Sequence, residues 1–307
     1  MRLSRRDFIS ALGVGAVAAW AHGMQDAPAD PAEVGARKQA AAAANPLGVT
    51  QRSFARRFGE GMKPVDFPKF AKSQVGVSIV SWSAPLMGDT GAQSTAALRA
   101  AMDDAGVRAV LVDPALGPGL ASADGVTRAA AVERLKPWLE VARRLSATGV
   151  SLDLRGEGDM ESQRVAAIEG LKLAAPVLKA SGLQGVVQCL GGFTSHGQHL
   201  ASIMQGLGDA AIRLEPTFDT WRVSPTEEYH RIRGIELLMP FASCVLADCG
   251  EFKPDGEPVN VPTRYLVQRI RAGGFRGPVM MQYKGPGDEL EGTLNIKKLL
   301  MRYPIRP

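Results

Sequence analysis

The polar residues able to do chemistry in this chain cluster just after short apolar runs. Gln188, Thr217, Asp219, Arg222, Asp248, Gln282 and Lys284 all lie at or beyond the end of such a run. Side-chain amides donate and accept at once, which suits the hydroxyls of a sugar. Glu215, Asp219, Asp248 and Glu251 offer anionic oxygens, which a hard divalent cation such as Mn²⁺ or Mg²⁺ requires. Arg52, Asp113, Asp153, Arg155 and Glu157 occupy similar positions, and His196 and His199 follow the fifth run. Trp82 and Trp221 also fall near run ends, where an indole can stack on a sugar face or pack the core. Three cysteines, Cys189, Cys244 and Cys249, have neither zinc-type spacing nor a C-x-x-C pair. Buried strand thiols fit their positions. An oxidising compartment would permit a disulfide, and their redox state stays open.

Positioning these residues falls to a regular alternation. Strand-like runs at 47–50, 75–82, 107–113, 150–154, 185–190, 211–214, 244–247 and 278–283 alternate with amphipathic helical stretches. Those stretches lie near 66–73, 95–104, 128–147, 161–180, 198–206, 225–238 and 262–272, with a last one closing at about 302. Strands and helices in strict series, joined by right-handed crossovers, predict an α/β fold, a parallel (β/α)8 barrel. An open doubly wound sheet would carry a glycine-rich phosphate loop after the first strand, and Gly48-Val49-Thr50-Gln51 is not one. Barrel chemistry sits at the C-terminal ends of the strands, so the polar residues above should share one mouth.

Residues 1–21 are set apart from the barrel. Ser4-Arg5-Arg6-Asp7-Phe8-Ile9 fits a twin-arginine export signal, and Ala19-Trp20-Ala21 offers a small-x-small cleavage site. The apolar stretch at 11–21 is shorter than the roughly 20 residues a spanning helix needs, so no stable transmembrane anchor is expected after cleavage. The expected destination is the periplasm or another extracytoplasmic site. Residues 22–44 read as a low-complexity linker without large apolar residues, and 45–307 as the barrel. The formal charge is +5; residues 1–21 carry three arginines and one aspartate, so their removal takes away +2 and leaves +3. That mild and dispersed excess predicts no nucleic-acid partner.

Several short words carry a family resemblance. They are Arg128-Ala129-Ala130-Ala131-Val132-Glu133 with Lys136 and Trp138, then Gly191-Gly192-Phe193-Thr194-Ser195, Leu238-Met239-Pro240 and Asp255-Gly256-Glu257. The last is Gly273-Gly274-Phe275-Arg276-Gly277-Pro278-Val279, leading into the eighth strand. In this order the chain resembles the sugar-phosphate isomerase/epimerase barrels, the xylose isomerase-like TIM barrels, from about 47 to 302. The resemblance implies a divalent metal held by carboxylates and a histidine at strand ends. Here the matching positions differ. Ser81 stands where a glutamate commonly ends the second strand, and Gln188 replaces the first metal carboxylate. Thr217 falls at the family aspartate, with Asp219 two residues on, and Leu246 or Gly250 at the histidine. Asp248 stands where a lysine is common, and Gln282 replaces the last glutamate, with Lys284 two residues beyond.

An amide brings no charge to a hard cation and has no usable pKa for proton transfer. The resemblance therefore implies a degenerate metal site with no cofactor. Two function classes follow. One is a non-catalytic exported barrel that binds a small carbohydrate or an envelope protein partner. The other is an active sugar isomerase/epimerase, with a metal shifted onto Glu215, Asp219, Asp248 and Glu251 or with no metal at all. The loops after the seventh and eighth strands lack a glycine-rich phosphate grip, which favours a neutral sugar over a sugar phosphate.

Overall fold

Leu47–Thr50 forms β1 of an eight-stranded parallel sheet in a computed structural model that describes residues 45–305. The signal and linker expected at 1–21 and 22–44 lie outside the described residues. The other strands are β2 Ile79–Ser83, β3 Arg108–Asp113, β4 Gly149–Leu152, β5 Gln184–Gln188, β6 Ile212–Glu215, β7 Val245–Cys249 and β8 Val279–Tyr283. Seven longer helices alternate with them: α1 Ala92–Ala105, α2 Gly125–Arg144, α3 Met160–Ser181, α4 Gly197–Leu207, α5 Arg231–Leu238, α6 Thr263–Ala272 and α7 Glu289–Arg302. Several of their starts are set by side chains that accept otherwise unpaired amide protons. Asp124 caps α2, Asp159 caps α3 and Asp288 caps α7. Among the described residues no helix is long and apolar enough to cross a membrane.

The strand order is β6-β5-β4-β3-β2-β1-β8-β7, with β1 paired to both β2 and β8. This is the (β/α)8 barrel that the alternation predicts. Closure between β6 and β7 is different from the other seven joints. Only isolated bridges join them, Leu214 to Ala242 and Thr217 to Leu246. Pro216 follows β6 directly and has no N–H to continue a ladder. Its carbonyl still accepts from Leu246 N at 2.8 Å, and Leu246 O accepts from Phe218 N at 3.0 Å.

Local differences from the sequence pattern have physical causes. The helix expected over 225–238 starts only at Arg231. Residues 221–229 instead fold back on themselves, with Tyr229 N donating to Trp221 O at 2.8 Å and Val223 N to Glu227 O at 2.9 Å. The strand expected from 75 begins at Ile79, because 71–75 closes a helical turn that ends at Gly76 with φ +70°. Short helical segments over 51–59 also follow β1 and were not anticipated by the periodicity.

Two apolar cores hold the barrel. The larger lies between sheet and helices and includes Trp82, Phe54, Phe67, Leu171 and Trp221. The smaller gathers Ile79, Val110, Leu111, Val186, Cys244 and Met280, with Leu246 against it, and plugs the interior. Successive residues in a strand face opposite sides, so the residue two beyond an inward apolar one also faces in. That step carries Ile79 to Ser81, Val186 to Gln188, Leu246 to Asp248 and Met280 to Gln282. The barrel interior changes from apolar to polar across this one step.

Candidate functional site in the barrel mouth

Every strand contributes one residue to the polar layer above the plug. Thr50, Ser81, Asp113, Ser151, Gln188, Glu215, Asp248 and Gln282 all line one cavity of about 220 Å³. A second lobe of about 250 Å³ adjoins it and shares Arg52, Asp113, Ser151, Gln188 and Leu190. Together the lobes reach the size range of small-molecule sites, ~300–1,000 Å³.

On the β6–β7 side of the inner lobe the polar groups are committed to one another. Asp248 is 1% exposed. Its Oδ1 accepts from Phe218 N and Asp219 N, both at 2.9 Å, and from the Thr217 hydroxyl. Its Oδ2 accepts from Lys284 Nζ at 2.8 Å and from Thr220 Oγ1 at 3.1 Å. Lys284 Nζ also lies 3.0 Å from Asp219 Oδ2, while Arg231 approaches the other oxygen of Asp219 at 3.4 Å. Burial opposes the charge on Lys284, but Asp248 and Asp219 outweigh it and hold the ammonium above its ordinary pKa.

Glu215 is the other buried carboxyl of this lobe. Gln188 Nε2 donates to its Oε2 at 2.7 Å, and Cys244 Sγ lies 3.4 Å from its Oε1. Burial pushes its pKa up to about 7, and the nearby Asp113 and Asp248 add to the rise against the two hydrogen bonds. Glu215 therefore sits near half-protonation at neutral pH, beside a cavity.

Other polar groups of the layer are uncommitted. Ser151 Oγ is buried with no hydrogen-bond partner, though Ser151 lines both lobes. Gln282 and Ser81 line the inner lobe with no side-chain partner among the described residues. A buried hydroxyl without a partner is uncommon enough to require an explanation. In the outer lobe Arg52 pairs with Asp113 and donates to Ser83 Oγ at 3.0 Å, while Arg155 pairs with Asp153 at 2.6 Å.

The structure brings Gln188, Thr217, Asp248, Gln282 and Lys284 to the inner lobe, and attaches Asp219 at its rim through Lys284. Arg222 is not with them: the fold-back of 221–229 turns it outward, where its Nη1 donates to Pro225 O. Of the four carboxylates considered for a shifted metal, Glu215 and Asp248 line the lobe and Glu251 is exposed outside it. Among the described residues no group of three or more His, Cys, Asp or Glu is placed to hold a metal. His196 serves as a helix cap, its Nδ1 accepting from His199 N, and His199 is buried against Phe193. Burial brings the His199 pKa down to about 4. Trp82 and Trp221 are core residues, and all three cysteines are buried free thiols. Ser151 shows where sequence alone ranks poorly: it looks like an ordinary strand residue, yet its hydroxyl is left without a partner beside both lobes. The signal that finds it is the two-residue step above the plug.

Comparisons agree with this architecture. The family described as xylose isomerase-like TIM barrel matches residues 74–300. D-psicose 3-epimerase of Clostridium cellulolyticum H10, solved with D-tagatose, superposes with a TM-score of 0.65 at 12% identity, covering 85% of this chain and 100% of that one. A sugar phosphate isomerase/epimerase of Parabacteroides distasonis ATCC 8503 gives 0.66 at 13%, covering 86% and 96%. The 3-keto-D-glucoside 4-epimerase of E. coli gives 0.66 at 10%, covering 84% and 99%. At these identities the likeness is one of fold. No curated protein sequence matches the chain.

Proposed function

This chain belongs to the xylose isomerase-like TIM barrel family, and from that premise we propose that it is an exported member whose mouth binds a small carbohydrate without a divalent metal and without the family's metal-dependent chemistry. One observation carries the binding part: Gln282 and Ser81 line the inner lobe with uncommitted side chains, and Ser151, whose Oγ has no partner, lines it with them. Groups of this kind meet sugar hydroxyls well, since each can donate or accept.

The metal part is supported by what surrounds the carboxylates. A hard cation needs free anionic oxygens. Asp248 already accepts five hydrogen bonds, one of them from an ammonium. Glu215 is tied to Gln188, and a carboxyl that shares its proton near neutrality is a poor ligand. Lys284 supplies the positive charge between Asp219 and Asp248 that a cation would otherwise bring. These residues do not fit a family-type divalent centre.

Calorimetric titration tests this. Mn²⁺ should bind weakly or not at all, and aldoses should bind in the presence of EDTA. Replacing both Gln188 and Gln282 by Glu should raise Mn²⁺ affinity without making it tight, because Lys284 still opposes a second cation. Tight Mn²⁺ binding by the wild type, lost in Asp248→Asn, would sink the reading.

A second reading has one specific support. Glu215, with its pKa near 7, is suited to accept or deliver a proton on a sugar carbon or hydroxyl without metal. Deuterium exchange into a sugar in D2O with EDTA, abolished in Glu215→Gln, would move the assignment to a metal-independent isomerase or epimerase. Export rests on Arg5 and Arg6 within the twin-arginine word. Changing both to Lys should leave the precursor in the cytoplasm, and unchanged export of that variant would refute it.

A further inference from the structure

The two lobes differ in charge balance. In the inner lobe Lys284 is matched against Asp219 and Asp248. In the outer lobe Arg52 is matched by Asp113 and Arg155 by Asp153, but a third lining cation, Arg134 on α2, makes no ion pair among the described residues. The guanidinium of Arg134 is seated by Gly119: a Cβ at that glycine would lie 3.0 Å from Arg134 Nη2. Any larger residue at 119 would displace it. Arg52 and Arg155 hold their aspartates through Nη2, and in each the Nη1 has no protein acceptor among the described residues.

The loop that closes this lobe is held in an uncommon conformation. Ala115 has φ +51°, which is costly for a residue with a Cβ, and its N–H is tied to Asp113 Oδ1 at 3.0 Å. The next two residues, Leu116 and Gly117, line the lobe, and neither backbone N–H has a protein acceptor among the described residues. An unmatched guanidinium and a loop with two uncommitted N–H groups thus line one pocket, together with Ser151.

We propose, resting on the carbohydrate reading above, that the outer lobe is a carboxylate subsite and that the ligand is an acidic sugar. Its hydroxyls would meet Gln282 and Ser81 in the inner lobe, and its carboxylate would meet Arg134 in the outer one. Charge counting selects the anion. Three arginines against two aspartates leave one positive charge, which matches a monoanionic carboxylate better than a dianionic phosphate. The planar guanidinium fork suits a carboxylate geometrically. This replaces the neutral sugar favoured by the loop sequences with a charged one, and keeps their argument against a phosphate.

The test is calorimetric titration of the full-length chain with D-glucose, D-glucuronate, D-galactose, D-galacturonate and D-glucose 6-phosphate, in EDTA at low and high NaCl. At least one uronate should bind at least tenfold more tightly than its parent aldose, and the advantage should shrink in high salt. Arg134→Gln should bring that uronate down to the affinity of the aldose, and Arg134→Lys should keep part of the advantage. Thermal melting of both variants separates lost binding from lost folding. Equal binding of uronate and aldose would overturn the carboxylate subsite and leave the carbohydrate reading standing. Tighter binding of the phosphate would overturn the choice of anion. Failure of all five sugars to bind would overturn the subsite and the carbohydrate reading together.

Discussion

Two sets of polar groups in the barrel mouth behave in opposite ways. On the β6–β7 side Asp248, Thr217, Asp219, Thr220 and Lys284 satisfy one another, and the network spans the joint where the strand ladder is interrupted. Ser151, Ser81 and Gln282, on β4, β2 and β8, line the same cavity with side chains that bond to nothing described, although Gln282 stands beside Asp248 in register. Similar residue types at similar heights in the barrel therefore do different work. The committed set replaces missing backbone pairing with side-chain bonds and belongs to stability. The uncommitted set leaves its hydrogen-bonding capacity unused within the chain. Burial and polarity do not separate the two roles; the state of the partners does.

Substitutions sharpen or break this contrast. The largest effect should come from Asp248→Ala, which leaves Lys284 and the Phe218 and Asp219 amides without their acceptor. A loss of about 3–5 kcal/mol is expected in urea unfolding, the scale for removing one partner of a buried pair. A loss below ~1 kcal/mol would mean that the network does not close the joint.

Next comes Glu215. Its folded pKa is raised, so its contribution is fully present below the unfolded value, near 4.5, and is lost as pH rises through about 7. The shift corresponds to about 3 kcal/mol of stability lost across that window. Glu215→Gln should flatten the stability profile between those pH values relative to wild type, and parallel profiles would refute the raised pKa. Lys284→Met should cost less, about 2 kcal/mol, because four hydrogen bonds still solvate Asp248 and the lysine side chain is 32% exposed. Smallest of all in stability is Ser151→Ala. Removing a buried hydroxyl that has no partner should change unfolding by less than ~1 kcal/mol, or raise stability, while weakening sugar binding. A large destabilisation there would erase the difference between the two sets.

The barrel was legible because its signal is local. Runs such as Val107–Asp113 and Pro278–Tyr283 announce buried strands, and helices follow each in turn. Where neighbours decide, legibility fails. The 221–229 segment has a composition that suits a helix start, yet Tyr229 bonds back to Trp221 and the helix waits until Arg231. Arg222 is displaced from the mouth by that same fold-back. Gln188, Asp248 and Gln282 could be placed from strand-end position alone. The bonding state of Asp248 could not, since it depends on loop amides across an interrupted joint. Ser151 was overlooked because a serine inside an apolar strand carries no chemical signal by itself. Arg134 was overlooked because it lies on a helix, and only the loop through Gly119 brings it to the outer lobe.

The proline that follows β6 has a consequence outside the mouth altogether. By interrupting the ladder it leaves a nominally closed barrel with two strand edges facing each other, β6 and β7. Unpaired edges are templates on which other chains can add strands, and an inward-pointing charge is one of the devices that keeps them from doing so. Asp248 sits on one of those edges, held by the loop that continues from the other. When that bond set fails, the first event should be a chain that is still folded but open along one line. Its hazard is then aggregation edge to edge, which light scattering would register before circular dichroism shows any loss of helix.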